Sequence, residues 1–327
     1  MEPDAVELNR RLFHPVDLAR FPVAERRSLR WSARQGARPI SARIPPARTS
    51  SAGTAGSGAD AQALREIMRQ AAIAGGDIAM ASFRPGQQTS ARVRYKTGNS
   101  PVSDADEAVD AFLKETLTAA LPSAGWLSEE TRDDRARLDH DLCWVVDPID
   151  GTRAYCAGDS NWTVAIALVE KGRPLAGVVH APALGEHYSA VRGAGAEMNG
   201  APILASPREQ ARGARVAGPG PMVDKLEHYT GALTKMPRLP SLALRLARVA
   251  SNDLDIALVS AHARDWDIAA ADLLIEEAGG LLTGLDGFRP VYNLRDPQHE
   301  TLISSGAPLH GEVLEGVQDF MRRNGWT

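Results

Sequence analysis

Apolar residues in the first part of the chain recur at helical spacing in two segments and form short runs elsewhere. The spacing predicts one helix over residues 59–83, interrupted at Gly75–Gly76, and a second that opens at residues 103–106 and ends before Pro122. A tight turn at residues 171–174 predicts a hairpin. Apolar runs predict strands at residues 93–96, 126–130, 142–146, 162–169, 175–180 and 186–191. Two helices followed by a largely antiparallel sheet are therefore expected.

In the second part of the chain, segments with helical spacing alternate with short apolar runs, and this alternation predicts an α/β arrangement. Asp265 is a good N-cap and Gly279 a good stop for the helix between them. Charged residues 131–141 predict an exposed loop, and residues 193–200 predict turns. Predicted strands lie at residues 214–217, 254–259, 281–284 and 302–305, and predicted helices at 223–233, 242–249, 265–278 and 311–322. We expect an α+β subdomain at residues 59–200 and an α/β subdomain at 201–327.

The first 58 residues differ in composition from the rest. Residues 1–50 hold ten Arg, no Lys and five acidic residues, a charge of +5 in a chain whose net charge is −4. Residues 49–58 have the Gly/Ser/Thr/Ala composition of a flexible linker. Early acidic residues argue against a transit peptide, and no apolar segment indicates a secretory signal. We expect a disordered extension, with binding of nucleic acid by this arm as the alternative.

Composition and cysteine usage narrow the class of protein. The 327 residues, 43% of them hydrophobic, suffice for a sizeable core. No run of about 18 apolar residues is present, so no membrane span is expected. Cys143 and Cys156 are too few for a disulfide framework or a zinc site. Two reduced thiols predict a cytoplasmic location.

Residues 147–152 carry the clearest chemical signal. Asp147 and Asp150 follow a buried apolar run, and Pro148 between them holds the chain stiffly extended. Two carboxylates clustered at a turn repel each other, and a divalent cation removes that repulsion. Hard oxygen ligands suit Mg²⁺, and the carbonyl of Ile149 offers one more.

The end of the same segment predicts an anion site. Gly151 permits a sharp turn, and Thr152 is a good N-cap for the residues that follow. Backbone N–H groups of both residues, at a helix start, suit a phosphate. Metal beside an anion pocket indicates phosphate chemistry. The alternative is an Asx-type turn that merely caps a helix.

Further acidic residues stand at predicted strand and helix ends. Glu129 and Glu130 close a strand, although paired glutamates are more often solvated. Asp267 and Asp106 fall in first helical turns, where the helix dipole favours acids; locally this explains Asp106 fully. No His or Cys cluster accompanies them, so the set favours Mg²⁺ over zinc and suffices for a two-metal site.

With these motifs the chain resembles the inositol monophosphatase superfamily of Mg²⁺-dependent, lithium-sensitive phosphatases. The first signature matches residues 147–152, and the second matches Trp266–Ala270 with Glu277–Gly280. Ser128–Glu130 matches the acidic element upstream. The resemblance spans about residues 60–310. It implies an α/β (α+β) fold, a layered αβαβα sandwich of the inositol monophosphatase and fructose-1,6-bisphosphatase type.

The resemblance also implies roles for the acidic residues. Asp106, with Thr152 and Glu129, would activate a water for direct attack on phosphorus, which replaces the local interpretation of Asp106. Two or three Mg²⁺ ions are expected. The implied metal ligands are Glu129, Asp147, the Ile149 carbonyl, Asp150 and Asp267.

A few residues bear on which phosphate ester is the substrate. Arg245 lies where the family contacts substrate and would clamp a second phosphate, unless it is a solvated helix residue. Ser260 stands where the inositol branch often has an acid. The expected phosphate contacts are Gly151, Thr152, Arg245, Lys96 and Arg153.

We therefore predict a 3′(2′),5′-bisphosphate nucleotidase that converts adenosine 3′,5′-bisphosphate to AMP and phosphate. Inositol-1-monophosphatase and histidinol-phosphate phosphatase are the alternatives. A regulator associated with RNA or polymerase is the alternative outside enzymes. The expected partners are a small phosphate ester and a second copy in a homodimer, with no membrane, and nucleic acid only through the arm.

Overall fold

The structure is a computed structural model that describes residues 55–323, apart from residues 97 and 99. The Arg-rich arm, residues 1–54, lies outside the described residues. Residues 55–58, predicted as linker, are helical. Among the described residues, no helix is both long and apolar enough to cross a membrane.

Seven α-helices lie within the described residues. They are α1 (Ala55–Ser82), α2 (Asp104–Ala120), α3 (Thr152–Ala157), α4 (Gly220–Thr230), α5 (Leu242–Ala250), α6 (Asp265–Glu277) and α7 (Ala307–Arg323). Short 3₁₀ turns occur at Ala136–Asp139 and Pro182–Leu184.

A seven-stranded sheet follows the first two helices. Its strands lie in chain order, β3 beside β4 in parallel and every later pair antiparallel. They are β3 (Gly125–Ser128), β4 (Leu142–Asp150), β5 (Thr163–Glu170), β6 (Arg173–Ala181), β7 (Glu186–Val191), β8 (Ala196–Met198) and β9 (Ala201–Pro202). The predicted antiparallel character is confirmed, and β8 falls where only turns were predicted.

A five-stranded mixed sheet occupies the second part in the order β11-β10-β12-β16-β14. Its strands are β10 (Arg215–Ala217), β11 (Thr234–Lys235), β12 (Ile256–Val259), β14 (Gly280–Gly284) and β16 (Leu302–Gly306). Two small ribbons complete the fold. One pairs β1 (Val93–Tyr95) with β2 (Pro101–Ser103), and the other pairs β13 (Ala263–Arg264) with β15 (Gln298–His299).

The elements form five layers. Helices α1 and α2 pack on one face of the seven-stranded sheet, and α5 and α6 fill the space between the two sheets. Helices α4 and α7 pack against each other, and α7 covers the five-stranded sheet. One buried apolar cluster includes residues of both sheets and of α5 and α6. The predicted αβαβα sandwich is confirmed.

Helix α1 runs without a break through the two glycines that were predicted to interrupt it. A Cβ on Gly75 would lie 3.2 Å from Val109 Cγ1, and one on Gly76 would lie 2.7 Å from Pro182 Cγ. The glycines therefore allow close packing of α1 against α2 and against the segment after β6, rather than ending the helix.

The exposed loop predicted at residues 131–141 is wrong at its centre. Arg137 is buried there and donates to Asp133, to Asn293 Oδ1 at 2.6 Å and to the Leu294 carbonyl at 3.0 Å. A fully charged side chain is buried only when partners satisfy it, and here Asp133 is local while Asn293 and Leu294 come from a distant segment. The charged composition therefore gave no sign that Arg137 joins this segment to residues 293–294.

Candidate active site

Strand β4 carries the first two carboxylates at its C-terminal end. Asp147 pairs with Ala165 and Asp150 with Thr163 of β5, and the register shifts between the two pairs, so the irregularity falls at Pro148 and Ile149. Asp147 Oδ1 accepts a hydrogen bond from the Ile149 N–H at 3.0 Å. Gly151 follows with φ of 93°, a left-handed conformation that favours glycine, and it caps α3. The predicted N-cap at Thr152 is wrong by one residue.

Helices α5 and α6 of the middle layer orient Asp150 and supply Asp267. Asp150 accepts from Ser241 Oγ at 2.5 Å and from the Ala243 N–H at 2.7 Å, which fixes it to the start of α5. Asp267 accepts from the Arg264 N–H at 2.7 Å in the first turn of α6. Arg264, rather than Asp265, is the N-cap of that helix. Sequence reasoning did not identify Ser241 as a positioning residue.

The fold brings the carboxylates of Asp147, Asp150 and Asp267 together. One carboxylate oxygen of each lies within 4.8 Å of the other two. Burial raises the pKa of Asp147 and of Asp267 well above the ordinary value, and repulsion from neighbouring carboxylates adds to it. Burial raises the pKa of Asp150 to about 6, although hydrogen bonds from the start of α5 oppose that shift.

The cluster fits a divalent cation. Buried like charges are costly unless a counter-charge neutralises them, and every side-chain donor here is a hard oxygen. Asp147, Asp150 and Asp267 would hold Mg²⁺, as the sequence predicted. The Ile149 carbonyl lies 3.0 Å from Thr152 Oγ1, whose single proton it shares with Asp106 Oδ1 at the same distance, and its role as a metal ligand stays a prediction.

Glu129 lines the same cleft from just beyond the end of β3. Lys96 Nζ lies 3.2 Å from Glu129 Oε1 and 2.7 Å from Glu130 Oε1. Burial raises the pKa of Glu130 to about 7, with Lys96 opposing the shift. Lys96, predicted as a phosphate contact, is thus placed beside the carboxylates.

Asp106 makes the contacts that both interpretations of the sequence require, a helix cap and a hydrogen bond with Thr152, and its role in activating water stays a prediction. Its Oδ2 accepts from the Ser103 N–H at 2.8 Å and from Ser103 Oγ at 2.6 Å, closing a capping box at the start of α2. Its Oδ1 accepts from Thr152 Oγ1 at 3.0 Å. Burial raises the pKa of Asp106, and its hydrogen bonds oppose that shift. One carboxylate therefore joins α2 to the metal motif.

Arg245 is not among the residues that line the cleft. Its side chain is 6% exposed, and Nη1 donates to the Leu258 carbonyl at 3.1 Å. Burial lowers its pKa to about 10. Because the guanidinium points into the interior, the structure does not bring Arg245 into the predicted position of a phosphate clamp. Arg238, which sequence reasoning missed, lines the cleft from the segment before α5.

The cleft itself has a volume of about 430 Å³. It is lined by Ser100, Pro101, Glu129, Asp147, Asp150, Gly151, Thr152, Arg153, Arg238, Pro240 and Asp267. A second cavity of about 840 Å³ shares Ser100 and Glu129 with it and contains Lys96. The metal cluster thus opens onto a space for a small anionic ligand, with two arginines at its walls.

Comparison with known proteins agrees with this geometry. Residues 60–319 match the model of the inositol monophosphatase family. A histidinol-phosphatase of Mycobacterium tuberculosis is 34% identical over 68% of this chain and 86% of its own length. The Nus factor SuhB of Xylella fastidiosa is 32% identical over 80% of this chain and 94% of its own. A solved Thermotoga maritima IMPase superposes with a TM-score of 0.68 at 26% identity, over 79% of this chain and 98% of that chain.

The layered fold, the buried carboxylate cluster and these matches lead to one conclusion. The chain belongs to the inositol monophosphatase family and is a Mg²⁺-dependent phosphatase.

Proposed function

We propose that the substrate is a phosphate monoester that carries a second anionic group, in particular adenosine 3′,5′-bisphosphate, which yields AMP and phosphate. The supporting observation is that Arg153 and Arg238 line the same cleft as the carboxylate cluster. A guanidinium binds phosphate oxygens through two parallel hydrogen bonds. Arg238 thereby takes the role that the sequence had suggested for Arg245.

The proposal gives each of the following site residues a role. Mg²⁺, when bound, lowers the pKa of a coordinated water and neutralises developing charge on phosphate. Thr152 Oγ1 donates to Asp106, so its lone pairs orient the attacking water, and Asp106 accepts the proton through Thr152. Glu129 helps to bind metal and water. The Gly151 and Thr152 N–H groups hold the phosphate oxygens.

The test compares phosphate release from adenosine 3′,5′-bisphosphate, inositol 1-phosphate and histidinol phosphate by the purified chain with Mg²⁺. Asp150→Asn removes a metal ligand and should abolish release from all three. For Arg238→Gln we expect KM for the bisphosphate to rise about tenfold or more, since a charged hydrogen bond contributes about 1.5–3 kcal/mol. KM for the monophosphates should change little.

Two further arginines serve as matched controls. Arg212 is exposed and lies outside the cleft, so Arg212→Gln should leave both KM values unchanged. Arg245→Met should keep the ratio of kcat/KM between bisphosphate and monophosphate, because its guanidinium contacts the Leu258 carbonyl. A lost preference in Arg245→Met, with none lost in Arg238→Gln, would contradict the assignment of Arg238.

Histidinol phosphate or inositol 1-phosphate is the second candidate substrate. The observation in its favour is the name of the histidinol-phosphatase relative and of the family itself. A higher kcat/KM for either monophosphate than for the bisphosphate would establish this candidate and exclude the nucleotidase.

Four further expectations remain proposals: a cytoplasmic location, which the cysteine usage suggested, and a homodimer, lithium sensitivity and a regulatory role, which the resemblance implies. Cys143 and Cys156 are both free thiols, which suits a cytoplasmic setting. A homodimer is tested by light scattering, and lithium sensitivity by titrating LiCl into the phosphate-release assay. A role as a regulator at RNA polymerase follows from the name of the SuhB relative and from the Arg-rich arm.

A further inference from the structure

A separate cavity of about 590 Å³ lies between helix α1 and the hairpin of β6 and β7. Two histidines line it, His180 on β6 and His187 on β7, and the register of the two strands places them directly opposite each other. Directly opposed residues of an antiparallel pair have Cβ atoms about 4.5–5.5 Å apart. The imidazole rings are therefore neighbours on one face of the sheet, outside the active-site cleft.

The hydrogen bonds of His180 settle which ring nitrogen carries its lone pair. Nδ1 lies 3.1 Å from the Glu186 carbonyl oxygen, which only accepts, so Nδ1 carries the proton. In the neutral ring Nε2 is then the lone-pair nitrogen. That atom would lie 3.1 Å from a Cβ placed on Gly76 of α1, so it faces the helix.

His187 has unused hydrogen-bonding capacity. Both of its ring nitrogens are buried, and neither has a hydrogen-bond partner among the described residues. Burial lowers the pKa of His187 to about 4, so the ring is neutral at pH 7. A buried polar group without a partner is costly, and a bound ion or water is the usual explanation.

The spacing of the two rings fits a shared tetrahedral ion. Their centroids are 5.4 Å apart. With Zn–N of about 2.1 Å, each centroid lies about 3.2 Å from the ion, and a tetrahedral angle then separates the centroids by about 5.2 Å. Imidazole nitrogens favour Zn²⁺ and similar ions over Mg²⁺.

The charges around the cavity also permit a cation. Asp77 of α1 lines it and is exposed, so its carboxylate is available to turn toward the rings. Arg69 lines it too, and its Nε and Nη2 donate to Glu66 at 2.8 and 2.6 Å; that pairing offsets only part of its charge, since, after burial and His180, Arg69 still contributes to the lowered pKa of His187. Among the described residues only the active-site aspartates form a ready group of three ligands, so here the imidazole pair is the core of the site.

We propose that His180 Nε2 and a ring nitrogen of His187 bind a divalent transition-metal ion of the Zn²⁺ class, with Asp77 and water completing its shell. The ion would tie α1 to the β6–β7 hairpin. The proposal concerns binding and is independent of which phosphate ester the active site hydrolyses.

The experiment is equilibrium dialysis of the full chain, without a histidine tag, against ZnCl₂ in excess Mg²⁺, with Co²⁺ absorption as a second readout. His187→Phe keeps a ring without nitrogen. His180→Asn keeps a donor for the Glu186 carbonyl. The matched control is His140→Asn, because His140 is exposed and its Nδ1 also meets a carbonyl, that of Ser123 at 2.9 Å.

We expect the wild type and His140→Asn to bind one equivalent of Zn²⁺ that Mg²⁺ does not displace. Affinity should fall at least about tenfold in His187→Phe and in His180→Asn. Phosphate release with Mg²⁺ checks that both variants are folded. Undiminished Zn²⁺ binding in a folded His187→Phe or His180→Asn variant would overturn the proposal.

Discussion

At the scale of single residues, the site depends on carboxylates that hold a structural contact and still face the site. Asp106 uses Oδ2 to cap α2 and Oδ1 to accept from Thr152. Asp150 uses its Oδ2 for the start of α5 and still lies in the cluster with Asp147 and Asp267. The hydrogen bonds fix the orientation of each group, and the clustered charge remains for a metal to neutralise.

Asp147→Asn should separate stability from activity. Removing one of three buried like charges relieves repulsion, so we expect the variant to be more stable than wild type in chelator, on the order of 1 kcal/mol, or a few degrees in Tm. Mg²⁺ should then raise its Tm less than that of wild type, and phosphate release should be lost. Differential scanning calorimetry with EDTA and with Mg²⁺ measures both effects.

Asp139→Asn is the control, because Asp139 is exposed and lies outside the cleft. Its Tm should match wild type in both buffers. If Asp147→Asn were less stable than wild type in EDTA, repulsion within the cluster would not be the dominant cost.

At the scale of elements, packing decides the effect of a glycine more than helix propensity does. Gly76 and Gly311 both lie inside helices, α1 and α7. A Cβ on Gly76 would meet Pro182 Cγ at 2.7 Å and His180 Cδ2 at 2.9 Å, whereas one on Gly311 has nothing within 4 Å. The two positions therefore form a matched pair.

Alanine at these positions should have opposite effects on the free energy of unfolding. Gly311→Ala should stabilise by about 0.5–1 kcal/mol, the usual difference in helix propensity. Gly76→Ala should destabilise by about 1–3 kcal/mol, because overpacking outweighs propensity. Urea unfolding followed by circular dichroism measures both, and stabilisation by Gly76→Ala would show that α1 can shift away from Pro182.

Helix α7 is joined to the five-stranded sheet through a buried histidine. His310 Nε2 lies 2.8 Å from Thr283 Oγ1 of β14, and its Nδ1 lies 3.0 Å from Ser305 Oγ of β16. Burial lowers the pKa of His310 to about 4, below the ordinary histidine value of 6.5. Between these values the unfolded chain binds more protons, so stability falls as pH falls through this window.

His310→Gln should weaken that pH dependence. Over the window of about 2.5 pH units the histidine accounts for up to about 3 kcal/mol, and Gln keeps polar partners without titrating. The wild type should therefore lose more stability than the variant between pH 7 and pH 4.5, by urea unfolding. His140→Gln, at an exposed site, should follow wild type. Equal losses in wild type and His310→Gln would contradict the assignment.

At the scale of the whole molecule, the active site lies where layers meet. The seven-stranded sheet supplies Asp147 and Asp150, and α6 of the middle layer supplies Asp267, while α5 orients Asp150. Helix α2 of the outer layer supplies Asp106. The site residues named above all fall within residues 60–319, the part of the chain that matches the family model, so we expect residues 1–54 to be separable from the chemistry.

Deletion of residues 1–54 should leave kcat/KM within about twofold of the full chain, because every site residue identified above is retained. If the arm binds nucleic acid, the loss should appear in a salt-dependent RNA-binding assay. A large loss of phosphate release in the deletion would instead place part of the arm at the active site.

The sequence by itself determined the local features. The spacing of apolar residues located most helices and strands, because an element with one buried face has apolar residues at the repeat of that element. The signatures at residues 147–152 and at Asp267 predicted three carboxylates that the structure brings within 4.8 Å of one another, because each signature is a short local motif. For Asp106 the sequence left two alternatives; the structure shows the helix cap and the contact with Thr152, and the role in activating water stays a prediction.

Only the tertiary structure decided contacts between distant residues. Arg245 and Arg238 lie seven positions apart, yet the fold turns one toward the Leu258 carbonyl and leaves the other on the cleft. The sequence placed Arg137 in an exposed loop, whereas in the structure it donates a hydrogen bond to Asn293, which lies far along the chain. Burial and partners of a charged side chain depend on which segments pack together, and that information is not present in its neighbours along the sequence.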